Sequence, residues 1–198
     1  MMRRYRIPPM VSDLIQAALL ICDETVFDLY SPCPFCGGEV SGYDLRKRRF
    51  ARIRHSERDH VIFVHVKRYQ CQRCNRTFMS DAPFYPDTRI GSPVIDLCVT
   101  FATCMPYYRV SSILEDLGVI VDRGSVRFYA LQGRSVKSED MFGIRVPVSV
   151  ILLASLTAGT IYSERVCGSD ILAVCGYPSR MRGKKPTTAD GVDNVLNG

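Results

Sequence analysis

Tryptophan is absent from the 198 residues, and histidine occurs only three times. The first absence excludes no class of function. The three histidines, His55, His60 and His65, fall in one stretch. None has a Cys or His partner at the short spacing of a metal knuckle, so they read as surface or nucleic-acid-facing residues. A convincing secretory leader is also lacking. "MMRRYRIPPMVSDLIQAALLIC" has a basic start and an apolar run, but Asp13 and Gln16 interrupt the run and no small-residue cleavage site follows. The stretch reads as an amphipathic helix with Ser12 as N-cap, within an N-terminal unit spanning 1–30. Long uncharged runs are scarce as well. Val146–Tyr162 is the longest, and its Ser, Thr, Gly and Pro content makes it a weak membrane span. The expectation is a cytoplasmic chain with no membrane partner.

Acid is scarce in one place only. Between Ser41 and Ser80 lie 11 of the 26 Lys/Arg but only 3 of the 20 Asp/Glu, whereas the rest of the chain carries slightly more acid than base. The overall charge of +6 therefore belongs to that segment. Such a concentration favours anionic partners, nucleic acid before membrane.

The same segment holds half of the cysteine pattern. Five of the nine cysteines are isolated among apolar neighbours, as buried free thiols would be: Cys22, Cys98, Cys104, Cys167 and Cys175. The other four form "CPFC" (Cys33, Cys36) and "CQRC" (Cys71, Cys74). Without a leader the compartment reads as reducing, which disfavours disulfides. A two-residue gap folds the backbone into a knuckle that presents both sulfurs to one ion. Gly37, Gly38 and Asn75 after the pairs permit the tight turns. Four thiolates suit one structural Zn²⁺. The alternative is a redox dithiol, but that normally opens a helix after a strand, and neither pair has this setting. The 34 residues between the pairs read as an inserted hairpin: "RRFARIRH" and "HVIFVHVKRYQ" are strand-like, with "SERDH" as the turn. Lys67, Arg68, Arg73 and Arg76 lie close enough in sequence to offset the negative charge of the thiolates. Arg46, Lys47, Arg48, Arg49, Arg52 and Arg54 form the densest basic run and are candidate phosphate contacts. The unit spans 31–80.

From Ser92 the period changes to that of a helix. Ser92 reads as an N-cap with Pro93 at the first helical position. A second helical pattern, "YYRVSSILEDLG", places Val110, Ile113, Leu114 and Leu117 on one face and stops at Gly118. Asp122 can cap a third helix, "RGSVRFYALQ". Helix, glycine turn and capped helix over 90–135 is the layout of a helix-turn-helix. Its second helix would meet base edges through Arg123, Ser125 and Arg127, with Val126 and Tyr129 or Ala130 facing inward. The predicted fold class is α+β: a small four-cysteine zinc ribbon of antiparallel strands, followed by an all-α helix-turn-helix domain.

The order of these parts resembles the N-terminal half of prokaryotic insertion-sequence transposases. There a zinc ribbon precedes a helix-turn-helix of the form "LxxxGVxVxxxSVxxY/W". That form falls here on Leu114, Gly118, Val119, Val121, Ser125, Val126 and Tyr129. The resemblance covers about Cys33 to Gln132. It implies binding to double-stranded DNA at a transposon end or operator, and a separate transposase catalytic subunit or self-association as further partners. It departs from the family after Gln132, where Glu139, Asp140, Glu164, Asp170, Asp190 and Asp193 do not fit the layout of a ribonuclease-H-like carboxylate triad. No enzyme activity is therefore expected. A rival reading is a regulatory module that uses the ribbon to dock a protein. Residues 140–178 read as an accessory helical segment in which Ser169 and Asp170 cap a helix, and 179–198 as a disordered basic-then-polar tail.

Overall fold

The structure, a computed structural model, describes residues 7–55, 58–159 and 166–175. The expected tail at 179–198 lies outside them. Its spine is a long antiparallel hairpin of β2 (Val40–His55) and β3 (Arg58–Cys71), as the sequence predicts. On the other edge of β3, β1 (Thr25–Phe27) pairs in parallel and β4 (Thr77–Met79) in antiparallel. Period-2 alternation along β3 buries Ile62, Val64 and Val66 on one face. Two register shifts interrupt β2, at Tyr43 and at Phe50. The second lets the consecutive residues Phe50 and Ala51 both be buried, which regular alternation forbids. Phe50 then meets Phe84 edge-on, with ring centroids 5.8 Å apart.

Helix α1 (Pro9–Leu20) packs against α5 (Val148–Gly159). It starts four residues earlier than Ser12 would set it if that residue were the cap: Pro8 holds the N-cap position and Pro9 opens the first turn. Ser12 lies inside the helix, and its hydroxyl donates to the Leu117 carbonyl at 3.1 Å. That carbonyl belongs to the end of a later helix, where the last acceptors have no partner within the helix. Helix α2 (Ser92–Ala102) likewise begins after Gly91, so Ser92 is its first helical residue and not its cap. Every residue of α2 from Ser92 to Phe101 is buried, which makes it the central helix of the fold and not one with a single apolar face. α3 (Tyr107–Asp116) and α4 (Arg123–Ala130) follow.

The segment expected to be wholly helical from residue 140 instead opens with a two-stranded antiparallel sheet, β5 (Ser138–Met141) and β6 (Ile144–Pro147). Pro147 ends the strand and α5 starts at Val148. α5 has 12 residues, about 18 Å at the helical rise, and no helix among the described residues is long and apolar enough to cross a membrane. In α6 (Gly168–Cys175), Ser169 and Asp170 lie within the first turn and do not precede it. The Asp170 carboxylate reaches back to the Cys167 N–H at 3.0 Å.

The chain is thus a mixed α+β protein. Its main hydrophobic cluster draws on α1, β1, the outer half of the hairpin and all the later helices. A smaller cluster of Cys33, Val40, Tyr69 and Cys71 sits at the inner end of the hairpin. The hairpin therefore belongs to both. Fully buried Ile53 on β2 shows what its outer half contributes: truncation to Ala would cost about 2–5 kcal/mol.

Candidate metal centre and nucleic-acid interface

The two cysteine pairs occupy turns of matching geometry. In the first, the Gly37 N–H donates to the Cys33 carbonyl at 2.8 Å and the Cys33 N–H to the Gly38 carbonyl at 3.0 Å. In the second, the Asn75 N–H donates to the Cys71 carbonyl at 3.0 Å and the Cys71 N–H to the Arg76 carbonyl at 2.9 Å. Both turns need a left-handed residue at the same place, filled by Gly37 (φ 69°) and Asn75 (φ 58°). Gly38 answers a different demand. A Cβ there would lie 2.9 Å from the Arg73 Cβ and 3.3 Å from the sulfurs of Cys36 and Cys71.

The four sulfurs lie within 4.8 Å of one another, with Cys33–Cys74 at 3.6 Å and Cys36–Cys71 at 3.5 Å. Four thiolates around a tetrahedral ion with bonds of about 2.3 Å are separated by roughly 3.8 Å. The cluster can therefore hold a metal ion with little movement. The Cys74 N–H pointing at Cys71, helped by that of Arg73, lowers the Cys71 pKa to about 6. At Cys36 the Gly38 N–H also favours the thiolate, but the neighbouring sulfurs outweigh it and push the pKa up to about 12. Crowded thiols resist losing successive protons unless a cation compensates. Of the cations expected to neutralise the cluster, Arg68 is instead held by the Asp44 carboxylate, and Arg76 lies over the Phe35 ring at 4.9 Å. Among the isolated cysteines, Cys22 and Cys98 are buried as expected and Cys175 is half-buried. Cys104 and Cys167 are exposed, because each sits just beyond a helix end and not on its inner face.

The basic run of β2 is exposed but mostly engaged. Lys47 pairs with Glu24 at 2.8 Å, Arg46 with Asp44 at 3.5 Å, and Arg52 and Arg54 share Asp59. Arg54 also reaches Glu115 on α3 at 2.9 Å. Arg48 is only half exposed: it donates to the Thr88 carbonyl and stacks on Phe84 at 3.7 Å. It is a structural clamp on the linker that leads to α2. Arg49 is exposed, and its charge acts on Tyr129 of α4. The histidines are engaged too: His60 bonds to Asp23 at 2.7 Å and His65 to Glu24 at 2.6 Å. The His55 side chain lies outside the described residues.

Strand β2 also reaches directly into the turn between α3 and α4. Ile53 bridges to Val119, the Arg54 N–H donates to the Gly118 carbonyl, and the Ile120 N–H donates to the Arg52 carbonyl. Gly118 sits at φ 81°, and a Cβ there would strike the Gln16 amide at 2.3 Å. After this turn Asp122 caps α4 as the sequence predicts, accepting from the Ser125 N–H at 2.9 Å. Val126 and Tyr129 point into the core, where Val126 shares the main cluster with Ile113 and Leu117. Arg123 and Arg127 are exposed on the outer face, and Ser125 is half-buried.

Two neighbours of this face escaped the sequence reading. Phe128 is 57% exposed, and it lines a groove of about 500 Å³ with Arg89, Asp122 and Tyr129. The helical period carries its signal, since a residue between inward Val126 and Tyr129 must point out. Arg89 has no such signal; only the folded linker brings it to Tyr129, whose phenol pKa is raised by burial and lowered by the Arg89 N–H. Comparison with family models, with curated proteins and with solved structures gives no match.

Proposed function

We propose that the chain is a zinc-stabilised protein that binds double-stranded DNA, related in its parts to insertion-sequence transposases and carrying no catalytic centre of its own. The Cys33, Cys36, Cys71 and Cys74 cluster would take one structural Zn²⁺, the ion that four thiolates at tetrahedral spacing suit best. It closes a ribbon at the inner end of the hairpin. Helices α3 and α4 act as a helix-turn-helix, with α4 entering the major groove of a transposon end or operator.

One observation carries this reading: β2, which bears the basic run, is hydrogen-bonded into the α3–α4 turn, so the strand is fixed beside the connector from which α4 starts. Arg49 and Arg89 then flank α4 where a duplex backbone would pass, while Arg123 and Arg127 face the bases. A separate catalytic subunit, or a second copy, would complete a transposition machine.

The test is duplex binding at a series of salt concentrations, using fragments selected from random sequence. A linear fall of log affinity with log salt, with a slope of several units, is the expected outcome. A flat salt response would transfer the reading to protein docking.

A further inference from the structure

A second binding feature lies at the opposite end of the hairpin from the outer turn, beside the cysteine cluster. A cavity of about 440 Å³ opens there, walled by Phe35, Arg68, Phe78, Met79 and Asp81. Two aromatic rings in this region are reached by water. Phe35 is 54% exposed and Tyr43 is 55% exposed. Phe35 on the cavity wall and Tyr43 beside Arg68 of that wall thus present ring surface on which a flat ligand could stack.

Each ring is coupled to a guanidinium. Arg76 lies 4.9 Å from the Phe35 ring centre, and Arg68 lies 5.1 Å from that of Tyr43. Arg68 is fixed in place: two of its nitrogens donate to the two oxygens of Asp44, so its flat group is oriented before any ligand arrives. Tyr43 stands at a break in the register of β2 between Gly42 and Asp44, the kind of bulge that re-aims a side chain. Arg73 and Arg76 on the second cysteine turn are both exposed.

The geometry points to a site for unpaired nucleotides, in which bases stack on Phe35 and Tyr43 and the strand's phosphates run past Arg73 and Arg76. Aromatic faces interleaved with arginine suit this ligand because every base has a π-face and every linkage a negative charge. The cavity holds the volume of a small ring system and not of a helix. Charge decides against an apolar peptide, because Arg73 and Arg76 are exposed on the second cysteine turn and Arg76 lies against Phe35 of the cavity wall. Arg49 lies five residue steps along β2 from Asp44, about 17 Å of strand, or roughly five base-pair steps. Single-stranded and duplex sites are thus far enough apart to be filled together by a duplex with an unpaired end.

The single-strand site stands independently of the duplex reading, and one experiment separates them. The full chain, supplied with one equivalent of Zn²⁺, is titrated by fluorescence anisotropy into three labelled probes. These are a 15-nucleotide strand without self-complementarity, a blunt duplex, and the same duplex with an unpaired overhang. The unpaired strand should bind, and the overhang should bind more tightly than the blunt end. Phe35→Ala combined with Tyr43→Ala should weaken single-strand binding at least tenfold and leave blunt-duplex binding within twofold. Phe35→Tyr and Tyr43→Phe keep the rings and should retain binding, which separates stacking from damage to the fold. Failure of the wild-type chain to bind the 15-mer overturns the site, whatever it does with duplex. So does an equal loss on all three probes, or a proline-rich peptide that occupies the cavity while the strand does not.

Discussion

The Asp122 carboxylate accepts two hydrogen bonds from a single residue: the Ser125 N–H at 2.9 Å and the Ser125 hydroxyl at 2.6 Å. This doubly tied cap fixes where α4 leaves its connector, and so fixes the direction of Arg123 and Arg127.

The cap should be visible in stability. Asp122→Ala should cost about 1 kcal/mol near neutral pH. The Ser125 hydroxyl, and then its N–H, hold the Asp122 pKa below the usual aspartate value. A depressed folded pKa stabilises the protein above the unfolded value of about 3.9, and that stabilisation disappears as pH falls through the folded value. Urea unfolding should therefore show the gap between wild type and Asp122→Ala closing below about pH 4. A gap independent of pH would assign the loss to something other than the ionised cap. Because the Ser125 hydroxyl is committed to Asp122, Ser125→Ala should lower stability more than it alters base preference.

The metal prediction is stoichiometric. Freshly purified chain should contain one zinc, and Cys71→Ser should lose it together with protection of the hairpin's inner end from proteolysis. Cobalt added to metal-free protein should give the visible absorption of a tetrahedral thiolate site. Absence of bound metal in protein kept reduced throughout purification would refute the assignment.

Neighbouring arginines of β2 should separate into two roles. Arg48 is bound to the Thr88 carbonyl and to the Phe84 ring, so Arg48→Ala should cost about 1–2 kcal/mol of stability. Arg49→Ala should leave stability nearly unchanged and reduce the salt slope of duplex binding by about one unit. Reversal of the two phenotypes would mean that the strand presents its other face to the ligand.

Arg127 is the predicted base reader. Its replacement by Ala should cost about 1–3 kcal/mol on a selected site and much less on random duplex. Equal losses would make it a phosphate contact. Phe128 beside it should favour thymine through the C5 methyl group, so Phe128→Ala should reduce selectivity at one position without changing the salt slope.

What could be read from the sequence was local. Each cysteine turn closes within six residues, and the Asp122 cap within four, so spacing and residue type were sufficient. The hairpin followed from alternation along "HVIFVHVKRYQ". The rest depended on distant partners. Glu24 meets Lys47 and His65 only because β1 adds to the edge of β3. Phe50 and Ala51 are both inside only because of a bulge that no local signal marks. The apolar run at "IRVPVSVILLASLTAG" fits strand or helix, and Pro147 divides it into one of each. Ser12 and Ser92 are good caps by type, but prolines and a glycine just before them took the helix starts.

The hairpin that crosses both hydrophobic clusters has a thermodynamic consequence. Its inner end carries the cysteine turns and its outer end is hydrogen-bonded to the α3–α4 turn, through strands shared by the two. If ordering one end raises the affinity of the other for its ligand by some factor, reciprocity requires the reverse effect to be equal. Bound DNA should then tighten the hold on the metal by the same free energy with which the metal strengthens DNA binding, and chelation would act as a graded control on occupancy of the target site.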